Sequence, residues 1–239
     1  GLLDLAASSN MDLGRAADIA SNILSGFGME ATEAGRVADV LAAAASSANT
    51  NVEQLGGAMQ YAAPIAATLG LSIEELTAAV GFMSDAGIQG EQAGRQLRQG
   101  LLRLANPTGR AADLMEELGI NVFDAEGNMK SMPEVINELS KGLGDMESDA
   151  RAAALATLFG AESTAGWSVL LDRGARELAD YTKELENSEG AASDMAKTME
   201  DNAKGSVREF QSAAEEAGIA ASEHLLPAFT EMVERGTEL

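Results

Sequence analysis

The sequence contains no cysteine and only one histidine, His224. Without cysteine there is no disulfide framework and no thiolate ligand, and a single histidine leaves a transition-metal site short of nitrogen ligands. A Ser–His–Asp arrangement would have to use His224, which lies beside Leu225 and Leu226 in a helical pattern and is better explained as structural. We therefore predict no catalytic residues, no metal site, no cofactor and no enzymatic activity.

Basic and aromatic residues are also scarce. The chain has 16 Lys and Arg against 38 Asp and Glu, a formal net charge of −22. Such a surface repels nucleic acid phosphates and anionic membranes, so we expect no specific nucleic-acid partner. Aromatic residues make up 4% of a chain that is 46% hydrophobic, so the core must be mainly aliphatic. The only tryptophan, Trp167, is expected to pack in that core rather than to anchor an interface.

One stretch has no charge at all. Residues 54–73 contain no charged side chain, and no Lys or Arg occurs between Arg36 and Arg95. A membrane span is one interpretation, but Gln60 and Pro64 interrupt the stretch, much of it is Ala and Gly, and no basic residues flank it. We therefore interpret it as a buried core helix and keep a membrane-active module as an alternative function.

Signals for helix starts and stops recur along the chain. Thr50 with Glu53, and Ser72 with Glu75, fit the capping box, in which a hydroxyl and a carboxylate each accept a backbone N–H near a helix start. Four glycines, each followed by an apolar residue, fit the left-handed stop of many helices: Gly28, Gly70, Gly87 and Gly119. These signals predict a series of helices joined by short turns.

We predict an all-α protein, a multi-helix bundle of about ten helices with at most one small β-hairpin, between Val122 and Met129. Residues 1–189 form a globular helical core module in this prediction. Residues 190–239 carry apolar side chains at steps of three or four, which predicts a long amphipathic helix leading into a coiled coil. The first residue is glycine and the last falls within a helical pattern, so we expect a fragment of a longer protein.

Two sets of residues are candidates for an interaction surface. One is the only basic stretch of this acidic chain, which comprises Arg95, Arg98, Arg103 and Arg110. The other lies on the low-charge helices between Val40 and Ile88, where Ala and Gly at helical spacing let helix axes approach closely. Part of that second face must form the protein's own core, and we expect its exposed members to include Ala66 and Ala78.

Short segments spread in order over nearly the whole chain carry a resemblance to a known family. They are Ala48–Leu55, Tyr61–Pro64, Leu69–Ser72, Asp85–Gly90, Ala93–Gly94, Leu101–Pro107, Leu118–Ile120, Val122–Asp124, Gly127–Met129, Leu158–Gly160, Asn187–Ala192 and Met199–Asn202. In these segments the sequence resembles the core region of phage tail tape measure proteins. No single segment would suffice, and the resemblance rests on their order and coverage.

The resemblance implies a structural protein that occupies the lumen of a phage tail, sets tail length during assembly and is ejected ahead of the DNA. Its implied partners are the tail tube protein, tail assembly chaperones, other tail-tip proteins and further copies of itself. Its implied locations are the virion tail lumen and, during assembly, the host bacterial cytoplasm. The family offers no catalytic residues.

The chain departs from the family pattern in extent. The long coiled-coil ruler and the hydrophobic segments typical of the family are not in this sequence, so length setting cannot be assigned to these residues. Two other functions stay open. One is a membrane-active module that helps DNA cross the host inner membrane through residues 54–73, and the less favoured one is a fused wall-degrading enzyme.

Overall fold

The computed structural model describes residues 1–202, 204 and 206. The chain divides into two compact units, Gly1–Ala196 and Lys197–Leu239, and each is described by itself. The first unit is all-α, as predicted, and has one 3₁₀ turn at Ala31–Glu33. Through Glu186 it contains eleven α-helices: α1 Leu2–Ser8, α2 Leu13–Phe27, α3 Ala34–Ser47, α4 Val52–Thr68, α5 Ile73–Asp85, α6 Gly90–Ala105, α7 Arg110–Glu117, α8 Met132–Leu143, α9 Ser148–Phe159, α10 Thr164–Arg173 and α11 Ala175–Glu186.

Residues 191–202 are also helical. At the start of this stretch the two carboxylate oxygens of Asp39, on α3, accept hydrogen bonds from the backbone N–H groups of Gly190 and Ala192, both at 3.0 Å. In the second unit, Lys204 pairs with Glu200 at 2.6 Å. Most of the long helix predicted over 190–239 lies outside the described residues.

The four glycine stops are confirmed. Gly28, Gly70, Gly87 and Gly119 all have φ between 63° and 86°, in the left-handed region. After each glycine, the N–H of the next residue donates to a carbonyl five residues back, as Leu71 does to Ala66 at 3.0 Å and Ile88 does to Met83 at 2.9 Å. The sequence signal is reliable here because the whole motif lies within six residues.

Of the two predicted capping boxes, one is confirmed and one is wrong. Ser72 Oγ accepts from the N–H of Glu75 at 3.1 Å, and the Glu75 carboxylate accepts from the N–H of Ser72 at 2.8 Å. The helix predicted to be capped by Thr50 is instead capped by Asn51 and starts at Val52. The side-chain oxygen of Asn51 accepts from the N–H of Gln54 at 2.8 Å. Asparagine is at least as good an N-cap as threonine, so Asn51 can cap the helix in place of Thr50.

The predicted β-hairpin is not formed. Phe123 and Met129 make a single antiparallel bridge, with no further strand pairing on either side. The carboxylate of Asp124 accepts the N–H groups of Asn128 and Glu126 at 2.7 and 3.0 Å, which closes a tight loop. The hydrogen bond from Asn128 is the main reason that the pKa of Asp124 lies below its usual value. Since α8 begins at Met132, no room remains for a ladder.

Helix α5 is the centre of the first unit. Every residue from Ile73 to Ser84 is buried, including two glutamates close to its start. The Glu74 carboxylate receives two hydrogen bonds from Arg36, at 2.7 and 2.9 Å, which tie α5 to α3. The second oxygen of Glu75 accepts from the N–H of Met132 at 2.8 Å, which ties α5 to the start of α8. Both buried acids are thus satisfied by donors.

Trp167 lies in the core, as predicted, with no exposed surface. Its ring stacks on Phe159 with centroids 4.5 Å apart, and its indole N–H donates to the backbone carbonyl of Gln96 at 3.1 Å. Gly100 on α6 makes room for the ring, because a Cβ at that position would overlap the indole nitrogen. The side-chain oxygen of Gln96 also accepts from the N–H of Gly166 at 2.8 Å, so α6 and α10 are joined twice.

A second aromatic contact joins α5 to α11. Tyr181 on α11 stacks on Phe82 with ring centroids 5.5 Å apart, and its hydroxyl is 2.9 Å from that of Ser47. The guanidinium of Arg173 lies 5.0 Å from the Phe82 ring and pairs with Asp85 at 3.0 Å. Burial raises the pKa of Tyr181 above its ordinary value of 10.0.

We predict that Gly70→Ala and Gly87→Ala each lower the free energy of unfolding by roughly 1 kcal/mol or somewhat more. A Cβ at either position would meet no other atom within 4 Å, so the cost is that of the left-handed backbone alone. Gly35→Ala is the matched control, since Gly35 lies inside α3 with equally open space and no positive φ. It should raise stability by about 0.5–1 kcal/mol. Urea denaturation measures all three, and unchanged stability in the first two would contradict the assignment of the stops.

We also predict a loss of stability at alkaline pH that depends on Tyr181. Because its pKa is higher in the folded protein, its contribution is complete below the unfolded pKa of about 10 and is lost as pH rises through the folded value. Tyr181→Phe keeps the ring and removes the titrating group, so its denaturation midpoint should fall less steeply above pH ~10 than that of the wild type. Tyr61→Phe controls for general alkaline unfolding. Parallel curves for wild type and Tyr181→Phe would contradict this prediction.

Candidate interaction surface

The two alanines expected on the surface are buried. Ala66 and Ala78 both have 0% exposure, because α4 packs on α2 and α6 and α5 is enclosed by the helices around it. The expectation that these two alanines are exposed is therefore wrong. Their small size serves internal packing instead.

Helices α4 and α6 lie side by side and run in the same direction. Gln54 near the start of α4 donates to Gln89, which caps α6, at 3.0 Å, and Tyr61 meets Arg95 about two turns further along. A Cβ at position 94, occupied by glycine, would overlap the carbonyl oxygen of Ala58. The two backbones are thus in direct contact, which accounts for the small residues on both helices.

The four arginines of the basic stretch do not share one face. Arg95 and Arg98 are exposed on α6 and line a cleft with Ser163 at the start of α10. Arg103 instead is half-buried and donates to the carbonyl of Thr157 on α9 at 3.3 Å. Arg110 begins α7 and lines a separate cavity of about 380 Å³ with Arg103. The structure therefore divides the predicted set into two pairs.

Arg95 is committed to neighbours. Its guanidinium donates to the carboxylate of Glu91 at 2.7 Å and to the hydroxyl of Tyr61 at 3.0 Å, and it lies 4.7 Å from the centre of the Tyr61 ring. The pair with Glu91 joins two residues four positions apart on α6, and the contact with Tyr61 reaches across to α4. Arg95 thus fastens the outer edges of the two helices together.

Arg98 differs from Arg95 in its contacts. Within the described residues its exposed side chain makes neither an ion pair nor a hydrogen bond. One turn later lies Leu102, which is 41% exposed and is one of four large hydrophobic residues that are exposed in the described chain. We call these two residues, four apart on α6, the Arg98–Leu102 ridge.

A groove runs along one side of this ridge. The α4–α6 groove has a volume of about 550 Å³ and is lined by residues of the two helices, namely Gln60, Tyr61, Pro64, Ile65, Thr68, Arg98 and Leu102. On the other side of the ridge is a cleft of about 640 Å³, which also contains Glu91, Glu162, Gln96 and Ser163. The groove lining is mixed apolar and polar, with a single charge, that of Arg98.

Sequence reasoning missed Leu102, Tyr61 and Ile65. The available signal was the position of Leu102, which does not belong to the buried α6 stripe of Ala93, Leu97, Leu101 and Leu104. An apolar residue outside a helix's buried stripe is a candidate for contact with another protein.

None of the helices in the described part of the chain is both long enough and apolar enough to cross a membrane. No group of three or more metal-ligating side chains occurs among those same residues.

Comparison with known proteins gives a family. Residues 1–160 match the family of phage-related minor tail proteins, and the chain belongs to that family. Among its relatives is the tape measure protein of Pneumococcus phage Dp-1, which is 41% identical over 233 residues, or 98% of this chain and 20% of that protein. The probable tape measure protein of Escherichia phage P2 is 32% identical over 144 residues, or 59% of this chain and 18% of that protein.

The resemblance to tape measure proteins found in the sequence is thereby confirmed. The chain spans about a fifth of the length of these two relatives. No solved structure matches it.

We predict that two neighbouring positions on α6 respond very differently to substitution. Arg98→Gln should change the free energy of unfolding by less than about 0.5 kcal/mol, because the arginine is exposed and has no partner among the described residues. Gln96→Ala should cost about 1–3 kcal/mol, because it leaves the buried N–H of Gly166 without an acceptor. Thermal or urea denaturation of both variants checks this. A large loss in Arg98→Gln would mean that the ridge is structural.

Proposed function

We propose that this chain is a helical module of a tape measure protein, a structural component of a phage tail that occupies the tail lumen. The observation that carries the proposal is the 41% identity to a tape measure protein over 98% of this chain. Because the chain matches only 20% of that protein, the setting of tail length and ejection ahead of the DNA are proposed for the parent protein as a whole.

In this proposal the module acts by contact with other proteins and carries out no chemistry. Its partners would be the tail tube protein, tail assembly chaperones, other tail-tip proteins and further copies of the parent chain. The Arg98–Leu102 ridge is exposed, its arginine has no partner among the described residues, and it lies beside a groove of mixed apolar and polar lining, which supports contact as the mode of action. The module would act in the host cytoplasm during assembly and in the tail lumen afterwards.

The fold supports a compact module better than a stretch of ruler. A single extended helix of the length of Gly1–Ala196 would measure roughly 290 Å at about 1.5 Å per residue. A compact unit of the same size has a diameter of about 40 Å. Residues folded in this way would add little to the length of a molecular ruler.

The experiment is an in-frame deletion of residues 1–196 in the phage or prophage that encodes this chain, with tails imaged by negative stain. We expect defective assembly, or tails whose length changes by no more than about 40 Å. Shortening by about 290 Å would contradict the compact module, and normal tails with normal infectivity would contradict a structural role. Removal of the same number of residues from another part of the parent protein is the control. Binding of the isolated chain to anionic liposomes would instead favour the membrane-active alternative.

A further inference from the structure

The α4–α6 groove has the geometry of a seat for a third helix. Tyr61, Pro64, Ile65 and Thr68 recur on α4 at steps of three or four, and Arg98 and Leu102 face them from α6 at a step of four. The two helices run in the same direction, so these side chains form two rows with a groove between them. A helix packs by laying a row of its own side chains into such a groove.

The lining suits a helix with one apolar face. Pro64 and Leu102 are exposed, and Ile65 and Tyr61 are half-buried, so apolar surface is offered from both walls. Pro64 has no N–H, which leaves the carbonyl of Gln60 without the donor that a helix normally supplies. The groove therefore offers apolar contacts from both helices.

The charge of the groove is unusual for this protein. Residues 54–73 carry no charge and residues 92–112 carry four arginines and no acid, although the whole chain has a net charge of −22. Both walls are drawn from these two segments, and Arg98 lies at the rim without a partner among the described residues. An acidic partner is repelled by most of the protein's surface and attracted here.

We propose that the α4–α6 groove binds an amphipathic helix of a partner protein whose apolar stripe is flanked by acidic residues. One of those carboxylates pairs with Arg98, and an apolar side chain packs against Leu102 and Ile65. This inference rests on the proposed function to the extent that a tail module acts through protein contacts. Beyond the proposed function, the inference names the surface that is used and the chemistry of the partner.

A second copy of this chain is a poorer occupant. Two chains of net charge −22 repel each other, so a contact between two copies is opposed by their overall charge. Nucleic acid would bring phosphates to Arg98 but has no apolar stripe for Leu102, and the rest of the surface repels it.

The test uses the full chain and two fluorescent synthetic peptides of about 20 residues, long enough to form a helix on binding. Both have leucine at the a and d positions of a heptad repeat. One has glutamate at the flanking positions, and the other has lysine there. Binding is followed by fluorescence anisotropy at low and at high salt, since a charge-dependent contact weakens as salt rises.

Two groove variants and one matched control separate the contributions. Arg98→Glu reverses the charge, and Leu102→Ala removes the exposed apolar contact. Arg176→Glu makes the same charge change on α11, which does not line the groove, at a side chain that is 96% exposed. We expect the acidic peptide to bind the wild type and Arg176→Glu equally and to bind Arg98→Glu about tenfold more weakly. The lysine peptide should bind Arg98→Glu better than it binds the wild type.

Several results would overturn the proposal. They are no binding of the acidic peptide to the wild type, equal binding to wild type and Arg98→Glu, or loss of binding in Arg176→Glu to the same extent. Sedimentation that reveals a dimer of the wild type, dissociated by Arg98→Glu, would identify a second copy as the occupant and would equally overturn it. Because these measurements use the isolated chain, their failure is distinct from the outcome of the deletion experiment in tails.

Discussion

Close approach of helix backbones is the constraint on which the rest of this structure depends. The chain has few aromatic residues, so its core gains contact area by bringing helices together rather than by filling gaps with large side chains. At the α4–α6 contact a glycine lies directly on a carbonyl of the neighbouring helix, and at Gly100 the space left by a missing Cβ holds an indole ring. Charged side chains cannot be accommodated at such contacts. The absence of charge from the buried positions of α4 is therefore a packing requirement.

The parts of the fold that could be predicted from sequence are those whose determinants are local. A glycine followed by an apolar residue specifies a helix end within one turn, and Gly28, Gly70, Gly87 and Gly119 all have the expected conformation. The start of α4 was misassigned by one residue because Thr50 and Asn51 are both good caps. The seven residues of α1 gave no clear period and were not predicted as a helix.

The parts that could not be predicted depend on which side of a helix meets its neighbours. Alanine is compatible with both surface and core, so composition alone could not place Ala66 and Ala78, which the packing of α4 and α5 buries. In the same way, the sequence of the Ser72–Glu75 motif predicts a cap at the protein surface. Only the approach of α8 shows that Glu75 is buried and bridges two helices. The sequence predicted only part of the surface around Arg98, namely its arginines. Leu102 and Tyr61 belong to this surface because α4 and α6 lie side by side in parallel, which the sequence does not show.

The carboxylate of Asp39 has a mechanical consequence. It holds the N–H groups of Gly190 and Ala192, so that α3 is linked to a segment about 150 positions later in the chain. Tension applied beyond Ala196 would be resisted by these two charge-assisted hydrogen bonds together with the core packing of Ala192 and Met195, before it reaches the contacts of α11 with α5 and α8. An aspartate of the third helix thus holds the last residues of the first compact unit against its body.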